Sequence, residues 1–468
     1  MEQAITVPSP KRAAAAPTVD SEAAFSSRFM APLLIGAALN PINSSLIATA
    51  LVPIARDLSV SAGRVTILVS ALYLATAVMQ PAAGRAADVL GARRVFLAGC
   101  VLVTVGGLAG AFAHDLRALT TARLLIGTGT SAGYPSAMAL VSQRSPGKAL
   151  PGPVLGRISM IGNATVAVGP AVGGLLVTVF GWRSTFLINV PCALLAAACA
   201  LAWIDRDPPA RERPSASAVL SRLDLPGMLL FGATACALVI YLQQIPHADP
   251  SIAGAALALA CLLIAWERRA RTPFFDVRQL AAHTALTRTY LRTALTLLGV
   301  YTVLYGLTPW LQSAAGYSAQ AAGLLILPMG MLAALINGPV AARGRVRRPL
   351  TAAALAMAAA SAVTLRLTAS SSIWPVLTIS LAFGVTVGAA TSANQTALTR
   401  QAPRSELGTV SGLFRTFTAL GSIASSAVIS TVYAHGVSDH GLHTAAWILI
   451  AVSAGALAMT LLDTSLRD

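Results

Sequence analysis

Charge is scarce in this 468-residue chain: Asp, Glu, Lys and Arg together make up 11% of it, against about a quarter in soluble domains. With 56% hydrophobic residues, that scarcity excludes an ordinary soluble globule. Acids are scarcer still, 17 against 33 bases, and none falls in the middle of an apolar stretch. The 6 histidines are likewise confined to loops and stretch ends, so the usual side chains for carrying a proton through a membrane interior are missing. Cysteine is sparse too. Cys100, Cys192, Cys199, Cys236 and Cys261 lie inside apolar runs without metal-ligand spacing, which makes them small apolar fillers and implies no metal. A phosphate-binding loop of P-loop type, His/Cys metal spacing and a triad-like set are all absent. Those absences argue against an ATP-driven pump and give no reason to expect an enzyme or a cofactor. Residues 1–27, rich in Ala, Pro and Ser, have no apolar core of a signal peptide and read as a disordered cytoplasmic tail.

What the chain has instead is length in its apolar runs. Fourteen stretches recur, at 29–51, 64–84, 94–113, 118–140, 157–179, 184–204, 225–245, 251–267, 290–312, 320–341, 349–368, 373–396, 407–432 and 444–464. Each is of the order of the ~20 residues needed to cross a bilayer core. Lipid offers no partner to backbone N–H and C=O groups, so spans of this kind are helices. The expected fold class is an all-α integral membrane protein.

The net charge of +16 is distributed in tufts between the stretches, such as Arg93–Arg94, Arg268–Arg269 and Arg343–Arg348. Nucleic-acid binding would call for a basic face beside stacking aromatics, so the tufts exclude it and fit the positive-inside rule. Most Lys and Arg fall on one side of the alternation, and only Arg56, Arg64, Arg117, Arg183 and Arg366 on the other. Both termini are therefore expected in the cytoplasm of a cell membrane, with the bilayer as partner and an even number of spans. A polar, Pro-rich break from Asp205 to Arg222 divides the chain. The expected layout is a tail 1–27, a six-helix bundle 28–204, a linker 205–286 carrying two extra helices, and a six-helix bundle 287–468.

Such proteins are often built from internal repeats. The fifth stretch opens Gly156-Arg-Ile-Ser and reaches Gly169; the thirteenth opens Gly408-Thr-Val-Ser and reaches Gly421, at the same spacing. The register sets Asn163 opposite Arg415 at matching depth.

Between the second and third stretches the sequence runs Gly84-Arg85-Ala86-Ala87-Asp88-Val89-Leu90-Gly91-Ala92-Arg93-Arg94. The glycines permit a tight turn, the two arginines hold the next helix at an anionic surface, and Asp88 is placed to pair with an Arg or cap a helix. This loop resembles the signature loop of the major facilitator superfamily. In that family it latches two halves and helps control alternating access, a role the resemblance places on Gly84, Asp88, Gly91, Arg93 and Arg94.

Three more segments carry the likeness. In the fifth stretch, Pro170 removes a helix hydrogen bond and Gly169, Gly173 and Gly174 offer a small-residue surface for helix approach, similar to the G-P-x-x-G-G motif of drug:proton exporters. Arg123 with Gly127 resembles the family's R-x-x-x-G motif; Arg123 faces either a cavity or partner, or snorkels to the nearby surface. Trp182-Arg183-Ser-Thr-Phe186-Leu-Ile-Asn189-Val-Pro191 is similar to a stretch of the fourteen-helix drug:proton antiporter branch.

The first stretch departs from that branch, reading Asn40-Pro41-Ile42-Asn43-Ser44-Ser45 where many relatives carry an Asp. Arg415 stands about ten residues into its stretch, near 15 Å at ~1.5 Å per residue, close to the midplane where transporter sites lie. The expected cavity set is Asn43, Asn163, Arg415, Tyr305, Trp310 and Asn394, and its cationic character favours neutral or anionic cargo. The resemblance implies efflux of small organic compounds by a monomeric carrier, with protons as the coupling ion. Uptake or facilitated diffusion of an organic anion or neutral solute on the same scaffold stays open beside it.

Overall fold

The computed structural model describes residues 25–145, 152–207, 224–243, 249–270, 273–274, 277–402 and 407–466. The expected tail up to residue 24 and most of the polar break, 208–223, lie outside the described residues. Among those described the chain is all helix, without a strand.

A helix or a pair of helices lies over each apolar stretch. In chain order they are α1 (Ser27–Asp57), α2 (Ala62–Leu90), α3 (Ala92–Ala111), α4 (Leu116–Thr130), α5 (Gly133–Gln143), α6 (Gly152–Phe180) and α7 (Ser184–Trp203). Next come α8 (Leu225–Gln243), α9 (Pro250–Glu267) and the short α10 (Val277–Ala282). The chain closes with α11 (Thr284–Ser313), α12 (Ala319–Arg343), α13 (Arg347–Thr364), α14 (Ile373–Gln401), α15 (Leu407–Val432) and α16 (Asp439–Leu462). Among the described residues, 11 helices are long and apolar enough to cross a membrane.

Local chemistry sets many of the boundaries. Ser26, Asp115, Asp249, Ser318 and Ser438 each cap a helix start by accepting a hydrogen bond from a backbone N–H, which satisfies a donor the first turn leaves over. Gly91 (φ 102°) and Gly344 (φ 61°) make the sharp turns after α2 and α12 in a backbone region costly to residues with a Cβ.

The packing has an internal pseudo-symmetry that matches the repeat. A Cβ on Gly169 of α6 would collide with Ser45 of α1, and one on Gly421 of α15 would collide with the Ala294 carbonyl of α11. The fifth helix of each set thus lies on the first helix of its own set. Each also crosses to the second helix of the other set, α6 to α12 and α15 to α2. These two crossings form the seams between the α1–α7 set and the α11–α16 set. Helices α8 and α9 pair with each other, and α8 rests on the α2/α15 seam. Their basic end is tied by the buried Asp224, which accepts from Trp266 Nε1 at 2.9 Å, Phe274 N at 2.7 Å and Gly227 N at 3.3 Å.

Two local expectations are corrected. Asp88 belongs to the last turn of α2, is exposed, and neither caps a helix nor has an ion-pair partner among the described residues. The start of α3 is held by Asp207, whose carboxylate accepts from Arg93 N at 3.1 Å and Arg94 N at 3.0 Å. Arg292, one of the basic residues on the positive side of the alternation, is 1% exposed inside α11 rather than at a surface.

Candidate functional site

The two sets touch at one end and part at the other. Away from the termini, Tyr305 donates to the Ser44 carbonyl at 2.7 Å and Gln312 to the Thr49 carbonyl at 3.2 Å. Thr66 donates to the Ser426 carbonyl at 3.2 Å, and the Ser70 and Ser426 hydroxyls bond to each other. Close backbone approach reinforces this closure. Gly323 and Gly330 of α12 lie against Pro170 and Ala167 of α6, and Gly174 against Ala319. A side chain at any of the three would hold the helices apart.

Toward the end that carries the termini, glycines on the same helices meet nothing. Gly156 of α6, Gly338 of α12 and Gly412 of α15 have open space where a Cβ would stand. The space between the two sets on this side of the far-end contacts is the candidate cleft, shut at the far end.

Arg415 of α15 and Tyr134 of α5 face each other across this cleft, the guanidinium carbon 3.6 Å from the ring centroid. Both side chains are half-buried. A cation over an aromatic face is attracted by about 0.5–2 kcal/mol, but a ring does not neutralise charge. Among the described residues Arg415 has no carboxylate partner, so the cleft carries an uncompensated positive charge. Near Tyr134, Asn40 of α1 donates to Thr76 and Thr130, each at 3.0 Å.

Behind the cleft is a buried polar core. Arg123, 2% exposed, donates to the carbonyls of Leu68 (3.1 Å) and Asn43 (3.2 Å) and to Asn43 Oδ1 (3.5 Å). Asn43 in turn donates to Asn189 Oδ1 and to the Leu39 carbonyl. Arg123 therefore does not reach a surface; it ties α4 to α1 and α2. Beside this core Tyr73 meets Tyr301 edge-on and Tyr301 stacks on Tyr305, with ring centroids 5.3 and 5.4 Å apart, and the three close the cleft's inner end from both sets.

The residues expected to form one cavity are thus dispersed. Arg415 alone of them stands in the cleft with its side chain described. Asn43 and Tyr305 are buried in the core just behind it. Trp310 lies at the far end, 1% exposed, donating to Asp439 Oδ1 at 2.8 Å; its indole anchors α11 to α16. Asn394, also 1% exposed, accepts from Arg292 at 3.2 Å. Asn163 has a helical backbone at the expected depth, but its side chain lies outside the described residues. Of the motif glycines, Gly169 and Gly173 pack on α1 and Gly174 on α12, while Pro170 sits within α6 at the α12 crossing. Gly84 approaches Pro135 of α5, Gly91 turns over Asp207, and Arg93 and Arg94 extend to the Leu201 and Leu90 carbonyls.

Sequence reasoning missed a second charged cluster. Asp463, just beyond α16, binds Arg288 at 2.7 Å and Arg292 at 3.3 Å, and both Asp463 and Arg292 are fully enclosed. Arg292 also donates to Thr289 at 2.9 Å. Burial alone pushes the Asp463 carboxyl up, but hydrogen bonds from Ser465 and Arg292 outweigh it and hold the group below the ordinary carboxylate range. The only signal was a lone acid at a stretch end.

Comparison with known proteins adds to this geometry. The family model described as Major Facilitator Superfamily matches residues 33–426. The chain is 30% identical over 438 residues to the uncharacterized MFS-type transporter YwoD of Bacillus subtilis (strain 168), covering 92% of this chain and 95% of that one. It is 30% identical over 320 residues to the multidrug resistance protein Stp of Mycobacterium tuberculosis (strain CDC 1551 / Oshkosh), covering 66% of this chain and 58% of that one. In architecture it is similar to a bacterial homolog of the human lysosomal transporter Spinster, solved in an inward-facing and occupied conformation. That match has a TM-score of 0.66 at 16% identity and covers 94% of this chain and 96% of the other.

Proposed function

This chain belongs to the Major Facilitator Superfamily, is a multi-pass membrane transporter rather than an enzyme, and on that premise we propose that it exports small organic compounds of neutral or anionic character by alternating access. The observation that carries the reading is Arg415: a cation without a carboxylate partner among the described residues, facing Tyr134 across the cleft between the two sets. A lipophilic cation finds no counter-charge there, whereas an anionic or hydrogen-bond-accepting cargo completes the site. Similarity to a multidrug resistance protein supports outward transport of drug-like compounds.

The organisation that goes with it is two six-helix bundles, 28–204 and 287–468, with a linker 205–286 whose two helices bring the membrane crossings to fourteen. Positive loops put both termini in the cytoplasm, so the cleft is open inward. The signature turn, with Asp88 free of a partner among the described residues in this inward-open state, is assigned the latch that closes the cytoplasmic end. The carrier acts as a monomer, and protons are the coupling ion by resemblance.

A second reading, uptake or facilitated diffusion of an organic anion or neutral solute, is favoured by one observation. The buried acids Asp224, Glu267 and Asp463 all lie at the basic end of their helices, away from Arg415. Everted membrane vesicles distinguish the two readings. Export coupled to protons gives accumulation of a fluorescent organic anion against its gradient when the interior is made acidic. Equilibration that ignores the imposed pH gradient sinks coupled export and leaves facilitated diffusion.

A further inference from the structure

Asn40 of α1 has an orientation that its neighbours dictate. Its amide nitrogen donates to the Thr76 hydroxyl of α2 and the Thr130 hydroxyl of α4, each at 3.0 Å. Each hydroxyl has one proton, and both protons are already committed: Thr76 donates to the Leu72 carbonyl at 2.8 Å and Thr130 to the Gly127 carbonyl at 3.2 Å. The two buried hydroxyl oxygens therefore accept, and a primary amide donates from its nitrogen alone. Turning the amide over would set three acceptors against one another with no proton between them. Asn40 is thus locked with both N–H groups turned into its own set and Oδ1 turned away. Among the described residues Oδ1 accepts no hydrogen bond, and the side chain is half-buried.

The place of Asn40 on α1 sets where that oxygen looks. At about 100° per residue, Asn40 lies about 40° from Gly36 on one side and about 40° from Ser44 on the other. Gly36 packs against Phe96 of its own set, and Ser44 meets Tyr305 of the other set. Asn40 therefore stands on the edge of α1 between the two sets, one turn from Ser44 on the cleft side. Its partners point to the same place. Thr130 is four residues from Tyr134, the ring under the Arg415 guanidinium, and Thr76 is three from Tyr73 of the tyrosine closure. Asn40 lies between the cation and the closed inner end.

We propose that Asn40 Oδ1 is the acceptor of the cargo site, so that the preferred cargo is an organic anion that also carries an N–H or O–H donor. This rests on the reading of Arg415 as a cargo-binding residue and narrows the class of cargo. The anionic group meets the guanidinium, which only donates, and the cargo's donor meets Oδ1, which only accepts. Cargo without the donor forgoes that hydrogen bond. Water still reaches a half-buried amide, so the penalty is about tenfold in affinity rather than the roughly ten-thousandfold of a sealed site.

The test is transport by the purified full-length protein in proteoliposomes, with naphthalenesulfonate and aminonaphthalenesulfonate as probes, one anion without and with an N–H donor. Wild type should show a KM about tenfold lower for the amino compound, and Arg415→Ala should abolish transport of both. Asn40→Leu removes the acceptor while Thr76 and Thr130 keep their carbonyl partners, and unchanged thermal unfolding in detergent verifies the fold. In this variant the KM ratio should collapse to about one. Asn40→Asp restores an acceptor and should restore the preference, with KM for both anions raised by its added charge. Equal KM values in wild type, or a ratio that survives Asn40→Leu however far both values rise, make Asn40 a purely structural residue and overturn this inference alone. Transport of neither anion, or transport indifferent to Arg415→Ala, overturns the anionic reading of the site and this inference with it.

Discussion

Arg415 and Tyr134 come from opposite sets of helices, and their side chains meet 3.6 Å apart, guanidinium carbon to ring centroid. Any motion that opens the far end must change this pair, because one partner rides on α15 and the other on α5. Under the proposed function the contact is both part of the cargo site and a reporter of the conformation.

Arg415→Ala is expected to abolish transport while leaving insertion and folding intact, since the side chain is half-buried and holds no structural ion pair. Arg415→Lys keeps the charge but loses the planar group that stacks on a ring, and should retain only a small fraction of activity. Tyr134→Phe should be close to wild type and Tyr134→Ala clearly impaired. Uptake assays in proteoliposomes check all four. Near-wild-type transport by Arg415→Ala removes this residue from the site.

Gly323→Ala probes the far-end closure. The added methyl would run into the Pro170 carbonyl and stand 3.1 Å from Ala171 Cα, and backbone cannot turn aside as a side chain can. The seam must part, which shifts the population toward the outward-open state and lowers turnover by roughly tenfold, about 1.4 kcal/mol. Labelling of Ser70→Cys from the outer face should rise in the same background.

Asp463→Asn should destabilise the protein by about 3 kcal/mol, the scale for stranding a buried charge, here Arg292. Wild type carries a linked pH dependence. A carboxyl held low in the folded state binds fewer protons there than when unfolded, so its contribution is complete above about pH 4 and lost as pH falls through the folded value. Thermal unfolding in detergent between pH 3 and pH 7 should show this slope in wild type and its reduction in Asp463→Asn.

Arg123→Ala removes donors to the carbonyls of Asn43 and Leu68 and is expected to cost about 2 kcal/mol, as for hydrogen bonds from a charged group. Arg123→Lys should rescue little, because a single ammonium cannot span two carbonyls on different helices. Melting temperature and transport of the two variants should fall together.

Much of this molecule could be read from its sequence, for a physical reason. Lipid demands long apolar helices and basic loops on one side, and both are one-dimensional patterns. The repeat linking Gly169 with Gly421 was equally local, and the structure sets both glycines against the first helix of their own set. Rotation about a helix axis leaves no such trace. Arg292 and Arg415 are both lone arginines in apolar stretches, yet one is sealed against Asp463, 171 residues further on, and the other faces the cleft. Trp310 read as cavity surface because its partner Asp439 lies beyond four intervening helices. Asp207 was hidden in the same way: the sequence offered Asp88, just ahead of the helix start that needed a cap, while the acid that caps α3 arrives from beyond the end of α7.

The placement of α8 on one seam has a consequence for traffic from the bilayer itself. Helix α8 lies on the α2/α15 crossing, whereas on the other seam Gly156 of α6 and Gly338 of α12 have open space where a Cβ would stand. On the proposed orientation, a hydrophobic molecule dissolved in the inner leaflet is expected to enter from the α6/α12 flank, and bulky residues placed along that flank should screen out membrane-borne cargo while sparing compounds that arrive from water.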